Sequence, residues 1–444
     1  MTNGKFELGG IIELSSSALI GSGQAENTDM DILADANGCP FIPATSFIGI
    51  LRHFLAEHFE NEELLRVWGI SDNTNLLESN IKCSDLSLMK DSRFSVKQRD
   101  GIKIDTKTGL TVDKSKYDYE TIERGAKFSL RIEAGYSKTN KKNILDILAT
   151  VAFVLSNGKI SVGAKTNSGL GKIMLKDYSV YDYDFSNPEM VLNWLRRDDG
   201  KKVELPVVSL KNDQSFEMVI DIKLKNSLIV KSYPSDPQSS DAVNIKSGDS
   251  YLLPGTSIKG ALRSRAEKIL NTLFDGQNDV TDQIMDALFG NVKPEVRKFK
   301  AVKGRFKVEE EILPDFVAEL QNRIRIDRFT GGTIASALFD STPLFNNEPD
   351  INNKILKINI KVEKCKDYEA GLCLLLMKDL WTGDLALGGE KNIGRGVFQG
   401  NAASVHFHGI NVSINSGLNP ESLPEREWLQ SLVGSLSGFK GVNI

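Results

Sequence analysis

Three blocks of sequence recur in the same order in the two halves of this chain, so whatever it folds into is one architecture used twice. FIPATSFIGILRHFLAEHF, from Phe41 to Phe59, is matched by LLPGTSIKGALRSRAEKIL, from Leu252 to Leu270: Pro43, Thr45, Ser46, Gly49, Leu51 and Arg52 return as Pro254, Thr256, Ser257, Gly260, Leu262 and Arg263. RDGIKIDTKTG, from Arg99 to Gly109, is matched by RIRIDRFTGGTIASALFD, from Arg323 to Asp340, with Asp105 opposite Asp327. VGAKTNSGLGK, from Val162 to Lys172, is matched by LGGEKNIGRGVFQG, from Leu387 to Gly400; Gly163, Asn167, Gly169 and Gly171 become Gly388, Asn392, Gly394 and Gly396. A length of 444 residues already exceeds what one hydrophobic core organises, and 40% hydrophobic with 26% charged residues is a globular composition. The boundary falls in the charged stretch before Lys211, giving copies over 1–210, closed by a linker helix, and 211–444. The second carries a helical insertion over 271–321 and a C-terminal extension from Asn401.

Each block has a local physical reading. The first is a strand end, a proline turn and a helix with apolar residues at helical spacing (Phe47, Ile50, Leu51, Phe54), for which the Thr-Ser pair serves as N-cap. Free N–H groups, hydroxyls and the positive end of the helix dipole would cradle a phosphate, although Thr-Ser also starts helices that bind nothing. The second block alternates isoleucine with charge around a Thr-Gly turn. That is a β-hairpin with one polar face, fit either to enter a nucleic-acid duplex or to protect a sheet edge. The third is dense in glycine, which permits close backbone approach to a ligand and equally a tight turn between strands. Strand, helix, hairpin, helix, Gly-rich turn and strand in that order suit an α+β fold with an antiparallel sheet and helices on one face.

Several function classes are excluded. Gly171-Lys172 is followed by Ile173 and the second copy has no Gly-Lys pair, so neither loop is a P-loop. Cys39, Cys83, Cys365 and Cys373 are scattered and suggest neither zinc nor disulfides. His406 and His408 alternate in a strand-like run that places both on one sheet face, a placement that suits a metal pair but that alternation alone also produces. The longest apolar stretch, Ile144 to Leu155, is interrupted by Asp146 and too short for a bilayer, and the first residues lack a secretory pattern. A cytoplasmic protein without a membrane partner is expected. The net charge of −4 counts against a free-standing nucleic-acid binder but leaves room for a basic groove within a larger assembly.

Taken together, the PGTS-x-KG helix start, the R-x-x-I-D hairpin and the terminal G-x-G loop resemble the RAMP superfamily, and more narrowly the backbone subunits of type III CRISPR effector complexes. The resemblance runs over most of the chain, twice; copy one departs from it with Ala44 for Gly and Ile48 for Lys. It implies two tandem RNA-recognition-like (ferredoxin-like) domains, each with a projecting thumb hairpin, that hold a guide RNA by its backbone. On this sequence the RNA-binding positions would be Thr45, Ser46, Arg52, Lys165, Asn167 and Lys172 in copy one, and Thr256, Ser257, Lys259, Arg263, Lys391, Asn392 and Arg395 in copy two. Arg99, Lys103, Arg323 and Arg325 would lie on the thumbs.

Members that cut their target depend on an aspartate in the loop before the PGTS strand. In TDMDILADANGCPFIP this is Asp29, with Asp31 and Asp35 as competitors; in SSDAVNIKSGDSYLLP it is Asp241, with Asp236 as competitor. Cleavage by a ribose 2′-OH needs in-line geometry, activation and charge stabilisation, and a carboxylate holding Mg²⁺ or Mn²⁺ at Asp29 and Asp241 serves the last two. An aspartate in a polar loop is equally an ordinary turn residue. The expected function is therefore a guide-RNA-binding backbone subunit and metal-dependent endoribonuclease acting on complementary target RNA beside other effector subunits. A purely structural RNA-binding subunit is the second reading. A guide-processing nuclease ranks last, since no histidine sits in these loops.

Overall fold

A computed structural model of the chain describes residues 2–23, 28–58, 67–71, 76–106, 108–208, 214–232, 240–275, 278–290, 302–313, 316–346, 355–417, 423 and 425–441. The backbone gathers into two compact units, Met1–Gly101 with Tyr117–Thr166 and Leu170–Lys211, and Ile102–Lys116 with Asn167–Gly169 and Asn212–Ile444. Among the described residues no helix is long and apolar enough to cross a membrane.

In the first unit, β1 (Gly4–Leu14) puts Phe6, Leu8, Ile12 and Leu14 on its buried face, as period-two alternation requires. Helix α1 (Ala44–His58) follows, then β2 (Ile81–Cys83), the hairpin β3 (Val96–Gly101) and β4 (Tyr117–Ile122), and β5 (Lys127–Tyr136). Helix α2 (Lys141–Ser156), β6 (Ile173–Asp184), α3 (Pro188–Arg196) and β7 (Lys201–Lys202) complete it. The sheet order is β7-β6-β1-β5-β2, antiparallel throughout, with Leu8 opposite both Ile132 and Val180. Phe47, Leu51 and Leu55 of α1 and Ile144, Leu148, Val151 and Leu155 of α2 share one core with the buried sheet face. Each such side chain contributes about 1.5–3 kcal/mol by leaving water.

The second unit repeats the plan. Strand β8 (Phe216–Leu224) is followed by α4 (Gly255–Leu273), α5 (Asn278–Phe289), β9 (Phe306–Val308), the hairpin β10 (Gln321–Ile326) and β11 (Thr333–Ser341), and β12 (Leu356–Val362). Then come α6 (Asp367–Thr382), β13 (Phe398–Phe407), β14 (Ile410–Asn415) and α7 (Arg426–Ser437). Its sheet order is β9-β12-β8-β13-β14, again antiparallel with the first strand at the centre. The α+β fold expected from the repeat is thus present in both copies.

Four sequence expectations change. Thr45-Ser46 and Thr256-Ser257 lie in the first helical turn and are not caps; Pro254, extended at φ −66 and ψ 141, is the N-cap of α4. Asp85 Oδ1 accepts from Ala44 N at 2.7 Å at the start of α1. The expected insertion is not helical throughout: it holds a helix over Asn278–Phe289, but Phe306 and Val308 are buried on a strand at the sheet edge. Residues 401–407 belong to the core strand β13, so the C-terminal extension starts later than Asn401. His406 and His408 do not share a sheet face, because His408 and Gly409 (φ 52 and 76) form the two-residue turn of the β13–β14 hairpin. His408 Nε2 instead meets Asp367 Oδ1 at 2.9 Å, and His406 Nδ1 meets Asn411 Oδ1 at 2.6 Å.

Candidate nucleic-acid interface

The hairpin tips are built alike in the two copies. Asp105 Oδ1 accepts from Thr108 N at 2.7 Å and Thr108 Oγ1 at 2.9 Å; Asp327 Oδ1 accepts from Thr330 N at 2.8 Å and Thr330 Oγ1 at 3.0 Å. These donors hold the exposed Asp327 carboxyl below the usual carboxylate range. The apolar residues that alternate with charge in each hairpin are not buried. Ile102, Ile104 and Leu110 in one and Ile324, Ile326, Phe329 and Leu338 in the other are exposed, Phe329 to 98%. Lys103 and Arg325 are exposed between them.

The glycines of the third block have a structural cause. Gly171 and Gly396 adopt φ of 77° and 71°, and a Cβ there would meet Val162 O at 1.9 Å and Leu387 O at 1.8 Å. Each donates its N–H to the serine after the central strand: Gly171 to Ser17 O and Gly396 to Ser227 O, both at 2.7 Å. The tight-turn reading therefore accounts for these two positions. The loop's variable residues reach the hairpin. Lys165, at φ 56°, donates to Tyr117 Oη at 2.9 Å and lies over the rings of Tyr117 and Tyr119. Its counterpart Glu390, at φ 54°, pairs with Arg323 at 2.9 Å, Arg395 at 2.8 Å and Lys231 at 3.1 Å.

One of the expected thumb arginines, Arg99, and one of the expected RNA-binding arginines, Arg395, are interior. Arg99, only 3% exposed, donates to Ser17 Oγ at 2.6 Å beside Glu123. Arg395, only 4% exposed, donates to Ser227 Oγ at 2.9 Å and Gln321 Oε1 at 2.6 Å. Arg323 is half-buried against Glu390 and Phe339. The remaining positions vary in exposure. Thr45, Ser46, Lys391 and Asn392 are exposed; Thr256, Ser257, Asn167 and Lys172 are half-buried. Arg52 donates to Gly69 O at 3.2 Å, and Arg263 lies 5.9 Å from the Phe289 ring. Lys259 donates to Phe306 O at 2.9 Å; burial and the neighbouring cations Arg263 and Lys307 lower its pKa to about 8.

The aspartate loops are the most informative part. Asp31 is buried and accepts from Thr28 N at 2.8 Å and Thr28 Oγ1 at 2.7 Å, while Asp35 accepts from Asn37 N at 2.8 Å and Cys39 N at 2.9 Å. Both are turn residues. Asp29 stands exposed above the Thr28–Asp31 turn and faces β4: Asp118 N donates to Asp29 Oδ2 at 3.0 Å, and Asp29 N to Asp118 Oδ1 at 3.0 Å. Copy two repeats the arrangement, with Asp340 N donating to Asp241 Oδ2 at 3.2 Å and Asp241 N to Asp340 Oδ1 at 2.7 Å. Asp236 lies outside the described residues. Sequence reasoning missed Asp118 and Asp340. The repeat itself carried the signal, since Asp118 follows Asp105 by the same 13 residues as Asp340 follows Asp327.

Among the described residues no group of three or more His, Cys, Asp or Glu is gathered to hold a metal ion. The exposed carboxylate in each loop offers hard oxygen donors, which suits a cation such as Mg²⁺ that keeps most of its waters and takes further oxygens from phosphate.

Two antiparallel sheets of the same strand plan, each copy with an exposed aspartate bonded to the second strand of its hairpin, define a tandem two-domain protein of a single type. The RAMP superfamily model matches residues 11–174 and 221–399, one segment per copy, and the chain belongs to that superfamily. No curated protein matches it.

Proposed function

We propose that the chain is a guide-RNA-binding backbone subunit of a type III CRISPR effector complex, and that each copy cuts bound target RNA once, at Asp29 and at Asp241. Membership of the RAMP superfamily supports a CRISPR-associated RNA-binding subunit. The observation that carries the cleavage reading is the duplicated placement of the two aspartates: each is exposed, and each is bonded to the second strand of its own hairpin.

In this reading the apolar side chains exposed on the hairpins, foremost Phe329, are covered by unstacked bases of the guide–target duplex, which removes an otherwise costly exposed apolar surface. Displacing a target nucleotide turns the adjacent ribose–phosphate step toward in-line geometry. The 2′-oxygen then bonds to phosphorus, its proton passes to solvent, and the P–O5′ bond breaks as the 5′-oxygen takes a proton from water. Asp29 or Asp241, with phosphate oxygens, would hold Mg²⁺ or Mn²⁺, which supplies neutralisation of the charge growing on the phosphate. Cations at Lys103, Lys165, Lys259 and Arg325 contribute attraction to the RNA backbone, and target sequence is read by base pairing with the guide.

The test uses the guide-loaded complex and complementary RNA with Mg²⁺ or with chelator. Metal-dependent products with 2′,3′-cyclic phosphate ends that vanish in the Asp29→Ala/Asp241→Ala double variant, with target affinity retained, are expected. Metal-dependent cutting that survives in the double variant would contradict the proposal; no cutting by the wild-type complex would leave a structural subunit.

A further inference from the structure

We infer that Asp118 and Asp340 are positioning residues for the cleavage reaction, each clamping the aspartate of its own copy to the hairpin so that hairpin and carboxylate meet the RNA as one piece. The inference rests on the cleavage reading of Asp29 and Asp241. Its basis is the reciprocal pair of backbone-to-carboxylate hydrogen bonds, formed between residues 89 apart in one copy and 99 apart in the other.

An ordinary loop aspartate bonds to the N–H groups just after it, as Asp35, Asp105 and Asp327 do. The Asp29 and Asp241 carboxylates instead accept from a distant strand, and their own N–H groups are held by that strand's carboxylate. Bringing two carboxylates together is unfavourable in itself, and here each is offset by one backbone donor. The same arrangement in both copies, at equivalent hairpin positions, makes it part of the repeated design. It occupies Oδ2 of Asp29 and of Asp241; among the described residues Oδ1 of each has no partner, and both side chains are exposed. A clamp of this kind fixes the direction of the remaining oxygen relative to the hairpin that bends the RNA. What it requires of residues 118 and 340 is a hydrogen-bond acceptor, not a charge.

This makes the amide variants decisive. In the guide-loaded complex, the single-turnover rate of each product is measured for Asp118→Ala, Asp118→Asn, Asp340→Ala and Asp340→Asn beside Asp29→Ala and Asp241→Ala. Amide hydrogen exchange is followed over residues 28–32 and 240–243. Asp118→Ala should slow the first-copy product by about 10- to 100-fold, the scale expected for a misplaced reacting group, and speed exchange over 28–32. It should leave the second product and target affinity unchanged. Asp118→Asn should keep the rate within about threefold and keep the exchange protection, because its carboxamide oxygen still accepts from Asp29 N. Asp340 variants should do the same for the second product. An unchanged rate in Asp118→Ala, or an equal loss in Asp118→Asn, would overturn the inference, the latter by showing that the charge matters. Unchanged cleavage in Asp29→Ala would instead remove the cleavage reading itself, and the exchange data would still report whether the clamp holds the loop.

Discussion

Ser17 and Ser227 occupy the same place just beyond the central strand of their copies, and each accepts a hydrogen bond from a buried arginine, but the two arginines come from different elements. Arg99 reaches Ser17 from the first strand of the hairpin; Arg395 reaches Ser227 from the Gly-rich loop. Where one copy has its arginine the other has Gln321 or Leu170, so the guanidinium has changed its anchoring strand while keeping its destination.

That exchange predicts unequal costs. Arg99→Ala removes the guanidinium beside the buried Glu123 and should cost about 3–5 kcal/mol, the range for breaking a buried ion pair. Arg395→Ala should cost less, about 1–3 kcal/mol, because Glu390 keeps Arg323 and Lys231. Thermal denaturation of the full chain measures both, and a larger loss for Arg395→Ala would refute the comparison.

Glycine substitutions should divide by position. Gly171→Ala and Gly396→Ala force a side chain onto a carbonyl at positive φ and should each destabilise by more than about 2 kcal/mol. Gly49→Ala and Gly260→Ala, inside α1 and α4 with nothing within 4 Å of the added Cβ, should stabilise the free protein by about 0.5–1 kcal/mol. Chemical denaturation gives the signs directly.

Lys259 makes stability depend on pH. Its folded pKa, about 8, lies below that of a free lysine, so between about pH 8 and 10 the unfolded chain binds more protons. This contribution therefore penalises the folded state fully below pH 8 and is relieved as pH rises through that window. Lys259→Met should remove the corresponding rise in denaturation midpoint; an identical pH profile in the variant would contradict the assignment.

The parts of the molecule legible in the sequence are those governed by local chemistry. Pro43 and Pro254, the Asp105 and Asp327 turns and the glycines at 171 and 396 recur because a turn or a positive φ demands particular residue types. The same reasoning misassigned Thr45-Ser46 as a cap, since helix propensity does not distinguish N-cap from first turn. Long-range partners were not legible. Nothing near Asp29 announces Asp118, and alignment of the repeats sets Arg99 against Gln321, which hides its equivalence to Arg395.

The central claim, that each copy cuts once with its own aspartate, is tested most directly by mapping the fragments of an end-labelled complementary RNA. The guide-loaded complex would be compared as wild type, Asp29→Ala and Asp241→Ala. The account predicts two discrete cuts in the wild type, one lost in each variant while the other persists at its original rate. Both cuts surviving in either variant, with target binding intact, would contradict it.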